Sequence, residues 1–107
     1  TVTIWVAKTS NVTFTVNNAT TTSGQNVYVV GNIPELGNWN TANAIKMNPS
    51  SYPTWKATIA LPQGKAIEFK FIKKDQAGNV IWESISNRTY TIPFASTGSY
   101  AASWNVP

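Results

Sequence analysis

The chain has 107 residues, a length that suits one domain with a single hydrophobic core. It contains no cysteine and no histidine, which excludes disulfide chemistry, histidine metal sites and a Ser-His-Asp triad. The formal net charge is +4 from only eight basic residues, a low charge density that argues against nucleic-acid binding. No apolar run approaches membrane-spanning length. We therefore expect no metal, cofactor, nucleic-acid partner or membrane association.

The chain begins at Thr1 without a visible signal peptide, so we expect a mature or excised segment of a longer protein. Residues 1–107 are interpreted as one domain. Residues 1–8 also alternate between apolar and polar, and they fit either an extra edge strand or the tail of a preceding domain. Trp5 falls on the face opposite the apolar residues of this segment, and we expect it to be packed.

Apolar and polar residues alternate with period two along most of the chain, the pattern of half-buried strands. The predicted strands cover the runs 12–16, 55–61, 67–72, 89–92 and 99–104, together with the short β-branched run 27–30 that Gly31 ends. Asn, Gly, Pro and Ser clusters between the runs indicate turns. No stretch supports a long amphipathic helix. Many short strands at this spacing predict an all-β fold, either an antiparallel β-sandwich or an open, distorted barrel.

Acid–base catalysis has few candidate groups, because the whole chain has four carboxylates. A glycosidase needs two of them held across the scissile bond. Glu68 alternates with Lys70 as on a solvated sheet surface, and nothing in the sequence pairs Glu35 with Glu83. We therefore expect a binding domain and no enzyme.

Two tryptophans stand among polar residues instead of apolar runs. Trp39 closes the segment Gly31-Asn32-Ile33-Pro34-Glu35-Leu36-Gly37-Asn38-Trp39, and Trp82 opens Trp82-Glu83-Ser84-Ile85-Ser86-Asn87-Arg88. Exposed aromatic rings beside amide and hydroxyl groups are typical of sugar recognition, because the C–H faces of a pyranose stack on the ring. Trp104, Tyr28 and Tyr90 lie in alternating runs, and we expect them to pack.

Several runs of the sequence resemble the starch-binding domain, the family 20 carbohydrate-binding module. These runs are 24–32, 36–39, 67–73, Trp82-Glu83 and 87–90, and they occur in the family's order from about Asn11 to the end of the chain. The resemblance is strongest to the modules of bacterial cyclodextrin glucanotransferases and α-amylases, with fungal glucoamylases further off. It implies an immunoglobulin-like β-sandwich with two separate sites for α-1,4-glucan.

The resemblance also implies which residues form the two sites. The first site would comprise two stacking tryptophans with a lysine, an acidic residue and an amide: Trp39, Lys70, Trp82, Glu83 and Asn87. The second site would comprise an aromatic side chain, a neighbouring tryptophan and one loop: Tyr52, Trp55, Thr21, Thr22, Gly24 and Asn26. Fungal members place a second tyrosine where this chain has Ser23. The alternating run after Trp55 leaves open whether that residue is a wall of the site or part of the core.

The function implied by the resemblance is noncatalytic binding of starch, amylose, maltooligosaccharides and cyclodextrins. The module would be a secreted, extracellular monomer that holds the catalytic domain of an amylase-type enzyme on raw starch. Two alternatives remain at this stage. One is an immunoglobulin-like protein-interaction domain whose exposed aromatics contact a partner. The other is a glycogen-sensing module of a regulatory kinase.

Overall fold

The computed structural model describes residues 8–107, which form nine β-strands and two short 3-10 helices. The strands are β1 (Thr9–Asn17), β2 (Asn26–Gly31), β3 (Ile45–Lys46), β4 (Asn48–Ser51), β5 (Thr54–Pro62), β6 (Ala66–Lys74), β7 (Val80–Trp82), β8 (Arg88–Thr91) and β9 (Thr97–Ser103). The 3-10 helices, Pro34–Trp39 and Thr41–Asn43, follow β2. The predictions of an edge strand at the start of the chain and of a packed Trp5 lie outside the described residues.

The strands form two sheets. One sheet has the order β4-β5-β1-β9, and the other has the order β3-β2-β6-β7 with β8 also paired to β6. Strands β7 and β8 share β6, because β7 pairs with residues 72–74 and β8 pairs with residues 66–69. The predicted all-β sandwich is confirmed, and the described strands do not close into a barrel.

The core lies between the sheets and follows the alternation of the sequence. Val12, Phe14 and Val16 on β1 are fully buried, and the polar residues between them are at least partly exposed. Phe14 meets Phe69 of the opposite sheet edge-on, with ring centroids 5.0 Å apart, a geometry that aromatic pairs prefer. Tyr100 of β9 lies 4.9 Å from the Phe69 ring in the same arrangement. These aromatic contacts fasten the two sheets together.

Two features of the topology differ from the sequence-based expectation. Strand β9 pairs with β1 in parallel, whereas the other pairings are antiparallel. The chain crosses from β8 to the other sheet and enters β9 at the end where β1 begins, so that the Asn11 N–H donates to the Ser96 carbonyl (2.9 Å). Strands β3, β4 and β7 were not predicted, because these segments of two to four residues show no alternation of apolar and polar side chains.

An ion pair between Glu83 and Arg88 lies in the interior, although such side chains are rarely buried unless they are paired. Arg88 Nε and Nη2 donate to the two carboxylate oxygens at 2.9 and 2.6 Å. The backbone N–H groups of Phe71 (3.0 Å) and Asn105 (2.9 Å) also donate to this carboxylate. Burial alone would lower the pKa of Arg88, but hydrogen bonds with Glu83 and Tyr100 raise it above its ordinary value. The pair joins β6, β8 and the C-terminal residues.

We predict that Glu83→Gln lowers the free energy of unfolding by about 3–5 kcal/mol, because it leaves a buried guanidinium without its compensating charge. Urea denaturation of the purified domain measures this difference. Glu68→Gln is the matched control, since Glu68 is exposed on β6, and its effect should stay within about 0.5 kcal/mol. Equal stability of the two variants would contradict the structural role of the pair.

Candidate sugar-binding sites

Trp39 and Trp82 form a pair of adjacent rings, which we call the tryptophan platform. Their ring centroids are 6.3 Å apart and the ring planes are inclined by 43°. Trp82 ends β7 and is 39% exposed, while Trp39 ends the first 3-10 helix and is half-buried. The structure therefore brings together the two tryptophans that the sequence singled out, and it sets them at an angle to each other.

The local sequence explains how Trp39 reaches this position. Pro34 begins the helix, and buried Leu36 anchors its first turn to the core. The backbone then turns sharply, with φ of +81° at Gly37, +51° at Asn38 and +63° at Trp39. Left-handed values of this kind are favourable for glycine and tolerated by asparagine, but they are uncommon for tryptophan. The turn thus directs an aromatic residue out of the helix.

The tryptophan platform is associated with a small apolar layer on the outer face of the five-stranded sheet. Val30 and Ile72 are fully buried, yet they do not belong to the core between the sheets. In register, Ile72 is opposite Trp82 on β7, and Val30 is opposite Lys70 on β6. Alternation therefore places all four side chains on one face of the sheet.

The second 3-10 helix crosses this same outer face. Lys74 has the same parity as Lys70 on β6, and its Nζ donates to the Thr41 carbonyl (2.8 Å). The Lys74 ammonium also lies 4.3 Å from the centroid of the Tyr28 ring. These contacts attach the segment that carries Trp39 to the outer face of β2 and β6.

Two polar residues of the first predicted site, Lys70 and Asn87, lie on the elements next to β7 in the fold. Lys70 is half-buried, and its Nζ donates to the Glu83 carbonyl oxygen at 3.4 Å. Asn87 is exposed and lies in the stretch between β7 and β8 (residues 83–87), which we call the site loop. One donor from β6 and one amide from the site loop therefore lie on elements that flank Trp82.

Glu83, which the resemblance assigned to the first site, cannot contact a sugar through its carboxylate. The residue is 1% exposed, and its oxygens accept hydrogen bonds from Arg88, Phe71 and Asn105. A carboxylate that is buried and compensated in this way has no face open to a ligand. The sequence placed Glu83 next to Trp82, but it did not reveal that Arg88 would turn the side chain inward. Glu83 supports the site loop from beneath.

The second predicted site centres on Tyr52, in the turn between β4 and β5. Its ring is 50% exposed, and its hydroxyl accepts from the Thr21 N–H (3.0 Å) and donates to the Thr21 carbonyl (3.4 Å). Thr22 and Gly24 are exposed further along the same loop, and half-buried Asn26 begins β2. The loop and the tyrosine are thus joined, with one ring open to solvent.

Trp55 does not form an open wall of this second site. It is 2% exposed and belongs to the core, and its Nε1 donates to the Ala19 carbonyl at 2.9 Å. Its ring meets Tyr52 edge-on at 6.3 Å, so it supports the tyrosine from below. Alternation with Ala57, Ile59 and Leu61 already indicated core packing, and that reading is the correct one.

The structure adds two residues near the second site that the sequence analysis did not propose. The Lys73 ammonium lies 4.4 Å from the centroid of the Trp104 ring, a cation–π contact. Desolvation lowers the pKa of Lys73, and the nearby Tyr52 phenol opposes this shift. Trp104 is half-buried and packs against the core, as expected. Alternation along β6 places Lys73 and Lys70 on opposite faces of the sheet. It could not show that Lys73 would contact the Trp104 ring.

Both candidate sites are open platforms and not clefts. A groove of about 680 Å³ elsewhere, between β1, β4 and β5, has no aromatic residue in its lining, so it offers no ring for a sugar to stack on. Among residues 8–107 there is no group of three or more metal-type ligands. No helix in this part of the chain is long and apolar enough to cross a membrane.

Comparison with known proteins identifies the family of the chain. The family model for the starch-binding domain matches residues 9–102. A cyclomaltodextrin glucanotransferase of Geobacillus stearothermophilus is 55% identical over 98 residues, covering 88% of this chain but only 14% of that enzyme. The γ-cyclodextrin glucanotransferase of alkalophilic Bacillus clarkii gives a TM-score of 0.89 at 47% identity, covering 94% of this chain and 16% of that one.

A further solved structure consists of a binding module alone. It is the family 20 carbohydrate-binding module of a maltotetraose-forming amylase from Pseudomonas saccharophila, with a TM-score of 0.79 at 40% identity, covering 88% of this chain and 99% of that one. The chain belongs to the starch-binding domain family. It is a noncatalytic module that binds starch, which confirms the prediction that it is not an enzyme.

We predict that Gly37→Ala destabilises the domain more than Gly78→Ala does. Both glycines have a left-handed φ, +81° and +88°, so alanine costs about 1 kcal/mol at either position. At Gly37 the added Cβ would also lie 2.7 Å from the Asn43 carbonyl oxygen, whereas nothing lies within 4 Å at Gly78. We expect a total loss of about 3 kcal/mol for Gly37→Ala in urea denaturation. Equal losses would contradict the close approach of the two 3-10 helices.

We predict that Trp55→Phe lowers the free energy of unfolding by about 2 kcal/mol, because the buried Ala19 carbonyl loses its donor. Thermal unfolding followed by circular dichroism measures the change. Trp104→Phe is the control, since Trp104 is half-buried and its indole nitrogen makes no hydrogen bond within residues 8–107. A larger loss for the control would count against the assignment of Trp55 to the core.

Proposed function

We propose that the module binds α-1,4-glucan chains at two sites and thereby holds an attached amylase-type catalytic domain on raw starch. The first site comprises Trp39, Trp82, Lys70 and Asn87, with Glu83 as buried support. The second comprises Tyr52 with the loop residues Thr21, Thr22, Gly24 and Asn26, supported by Trp55. The ligands are starch, amylose, maltooligosaccharides and cyclodextrins. The observation that carries this proposal is the inclined pair of tryptophan rings, of which Trp82 is exposed and Trp39 is half-buried.

The inclination of the rings suits the shape of the ligand. An α-1,4-glucan chain curves, so successive glucose units present their apolar C–H faces at an angle to one another. Two rings tilted by 43° with centroids 6.3 Å apart follow such a curve, whereas coplanar rings would suit a flat, extended chain. Stacking on both rings buries apolar surface and supplies most of the favourable free energy.

Lys70 and Asn87 can orient the glucan chain on the two rings through hydrogen bonds. A lysine Nζ donates up to three hydrogen bonds, and an asparagine amide both donates and accepts, so together they suit the 2- and 3-hydroxyl groups of adjacent glucose units. Each neutral hydrogen bond contributes only about 0.5–1.5 kcal/mol, because both partners give up bonds to water. We therefore expect roughly micromolar or weaker affinity for short oligosaccharides.

The second site has a single exposed ring. The Tyr52 hydroxyl is hydrogen-bonded to Thr21, which leaves the ring face for a sugar and holds the loop close to it. The half-exposed tyrosine and the exposed Thr22 support this assignment. With Ser23 where fungal members have a second tyrosine, one stacking contact should give weaker binding than the tryptophan platform.

The aromatic rings of the two sites are carried by different sheets, because Trp82 ends β7 and Tyr52 lies between β4 and β5. Binding at one site raises the local glucan concentration at the other, so a starch granule should be held more tightly than a short oligosaccharide. The same effect keeps an attached catalytic domain at its insoluble substrate. We further propose that the parent protein acts outside the cell and that the module itself is a monomer.

Calorimetry with β-cyclodextrin tests the first site. We predict that Trp39→Ala and Trp82→Ala each weaken binding at least tenfold, because each removes one of two stacking surfaces. Phe94→Ala is the control, since Phe94 is a highly exposed aromatic residue outside both sites, and it should leave the affinity unchanged. Undiminished binding in the Trp39/Trp82 double variant would move the main site to Tyr52. Failure of the native chain to bind would favour a protein-interaction role.

A further inference from the structure

We propose that the C-terminal turn (residues 103–106) is a positioning element of the first glucan site, and that Asn105 is the residue through which it acts. The turn would hold the site loop in the shape that presents Asn87 beside Trp82. This inference rests on the proposed glucan binding at that site. It adds a residue more than twenty positions away from Trp82 in the sequence, with no sugar contact of its own.

The site loop is fastened at its first two residues. The Ser84 N–H donates to Asn105 Oδ1 at 2.8 Å, and the Glu83 N–H donates to the Phe71 carbonyl at 3.3 Å. The Glu83 carbonyl in turn accepts from Lys70 Nζ at 3.4 Å. The Glu83 carbonyl orients the Lys70 ammonium, and Ser84 is the next residue in the chain. The hydrogen bond between Ser84 and Asn105 therefore fixes the backbone next to that carbonyl.

The turn is itself held rigidly by the buried ion pair. Arg88 Nη2 donates to the Ser103 and Val106 carbonyls at 3.0 and 2.9 Å, and the Asn105 N–H donates to Glu83 at 2.9 Å. The Val106 N–H closes the turn onto the Ser103 carbonyl at 3.1 Å. Because Arg88 also follows the site loop directly, one guanidinium connects the turn and both ends of the loop.

The backbone at residue 105 explains why asparagine is suited to this position. Its φ is +60°, in the left-handed region, where glycine and asparagine are the least strained residues. Glycine would satisfy the backbone equally well, but it would provide no acceptor for Ser84. The turn alone could be formed by glycine, so the Asn105 side chain serves to accept the hydrogen bond from Ser84.

The consequence for binding follows from preorganisation. A loop that is already ordered loses little conformational freedom when a ligand binds, whereas a loosened loop must be ordered at the expense of affinity. Removing the Asn105 side chain should thus weaken binding at the tryptophan platform while leaving Trp39, Trp82 and Lys70 in place.

The test compares Asn105→Gly with Asn18→Gly in a Tyr52→Ala background, so that calorimetry with β-cyclodextrin measures the first site alone. Asn18 also has a left-handed φ, +56°, and is exposed, and its side chain makes no hydrogen bond within residues 8–107. We expect about fivefold weaker binding for Asn105→Gly, the effect of one neutral hydrogen bond. For Asn18→Gly we expect no change.

Amide hydrogen exchange separates positioning from a general loss of stability. In Asn105→Gly the Ser84 N–H should exchange faster, while the N–H groups of core strand β1 keep their protection. Unchanged affinity in Asn105→Gly, or an equal loss in both glycine variants, would overturn the inference and leave the proposed function intact. If the Tyr52→Ala chain binds no β-cyclodextrin while the native chain does, the assignment of the first site fails, and the inference fails with it.

Discussion

A carboxylate in a protein interior is stable only when its charge is compensated and its oxygens are hydrogen-bonded. In this module that requirement acts at Glu83, which joins β6 through Phe71, β8 through Arg88 and the C-terminal turn through Asn105. The compensating guanidinium brings the last residues of the chain against the site loop. The shape of the proposed glucan-binding surface therefore depends on a buried salt bridge whose carboxylate has no face open to a ligand.

The two rings of the tryptophan platform face the opposite problem, because under the proposed function they must remain accessible to a ligand and still be held at a constant angle. Exposed aromatic surface forgoes the stabilisation that burial would give. The module limits this loss with a second apolar layer of Val30 and Ile72 on the outer face of the sheet. It holds Trp39 through the sharp turn at Gly37 and through the bond from Lys74 to Thr41. An open platform on rigid strands suits a polymer that is bound anywhere along its length.

A side chain's position could be predicted where it depends on the local setting. Trp39 and Trp82 stood among polar residues, and they are the paired rings of the structure. A position that depends on a distant partner could not be predicted in this way. Glu83 was placed on the ligand side because it follows Trp82, yet Arg88 holds it inside. The resemblance favoured Trp55 as a wall of the second site, although its bond to Ala19 lies in the core.

The sequence by itself determined the class of fold, because alternation along β1, β5 and β6 requires two half-buried sheets, and it singled out Trp39 and Trp82 as aromatic residues in polar surroundings. Only the tertiary structure decided the 43° inclination of the rings, the parallel pairing of β1 with β9 and the connection of Asn105 to the site loop. The physical reason is the distance along the sequence between the residues involved. Periodicity and turn propensity are read from neighbouring residues, whereas these three features arise where segments far apart in the chain pack together.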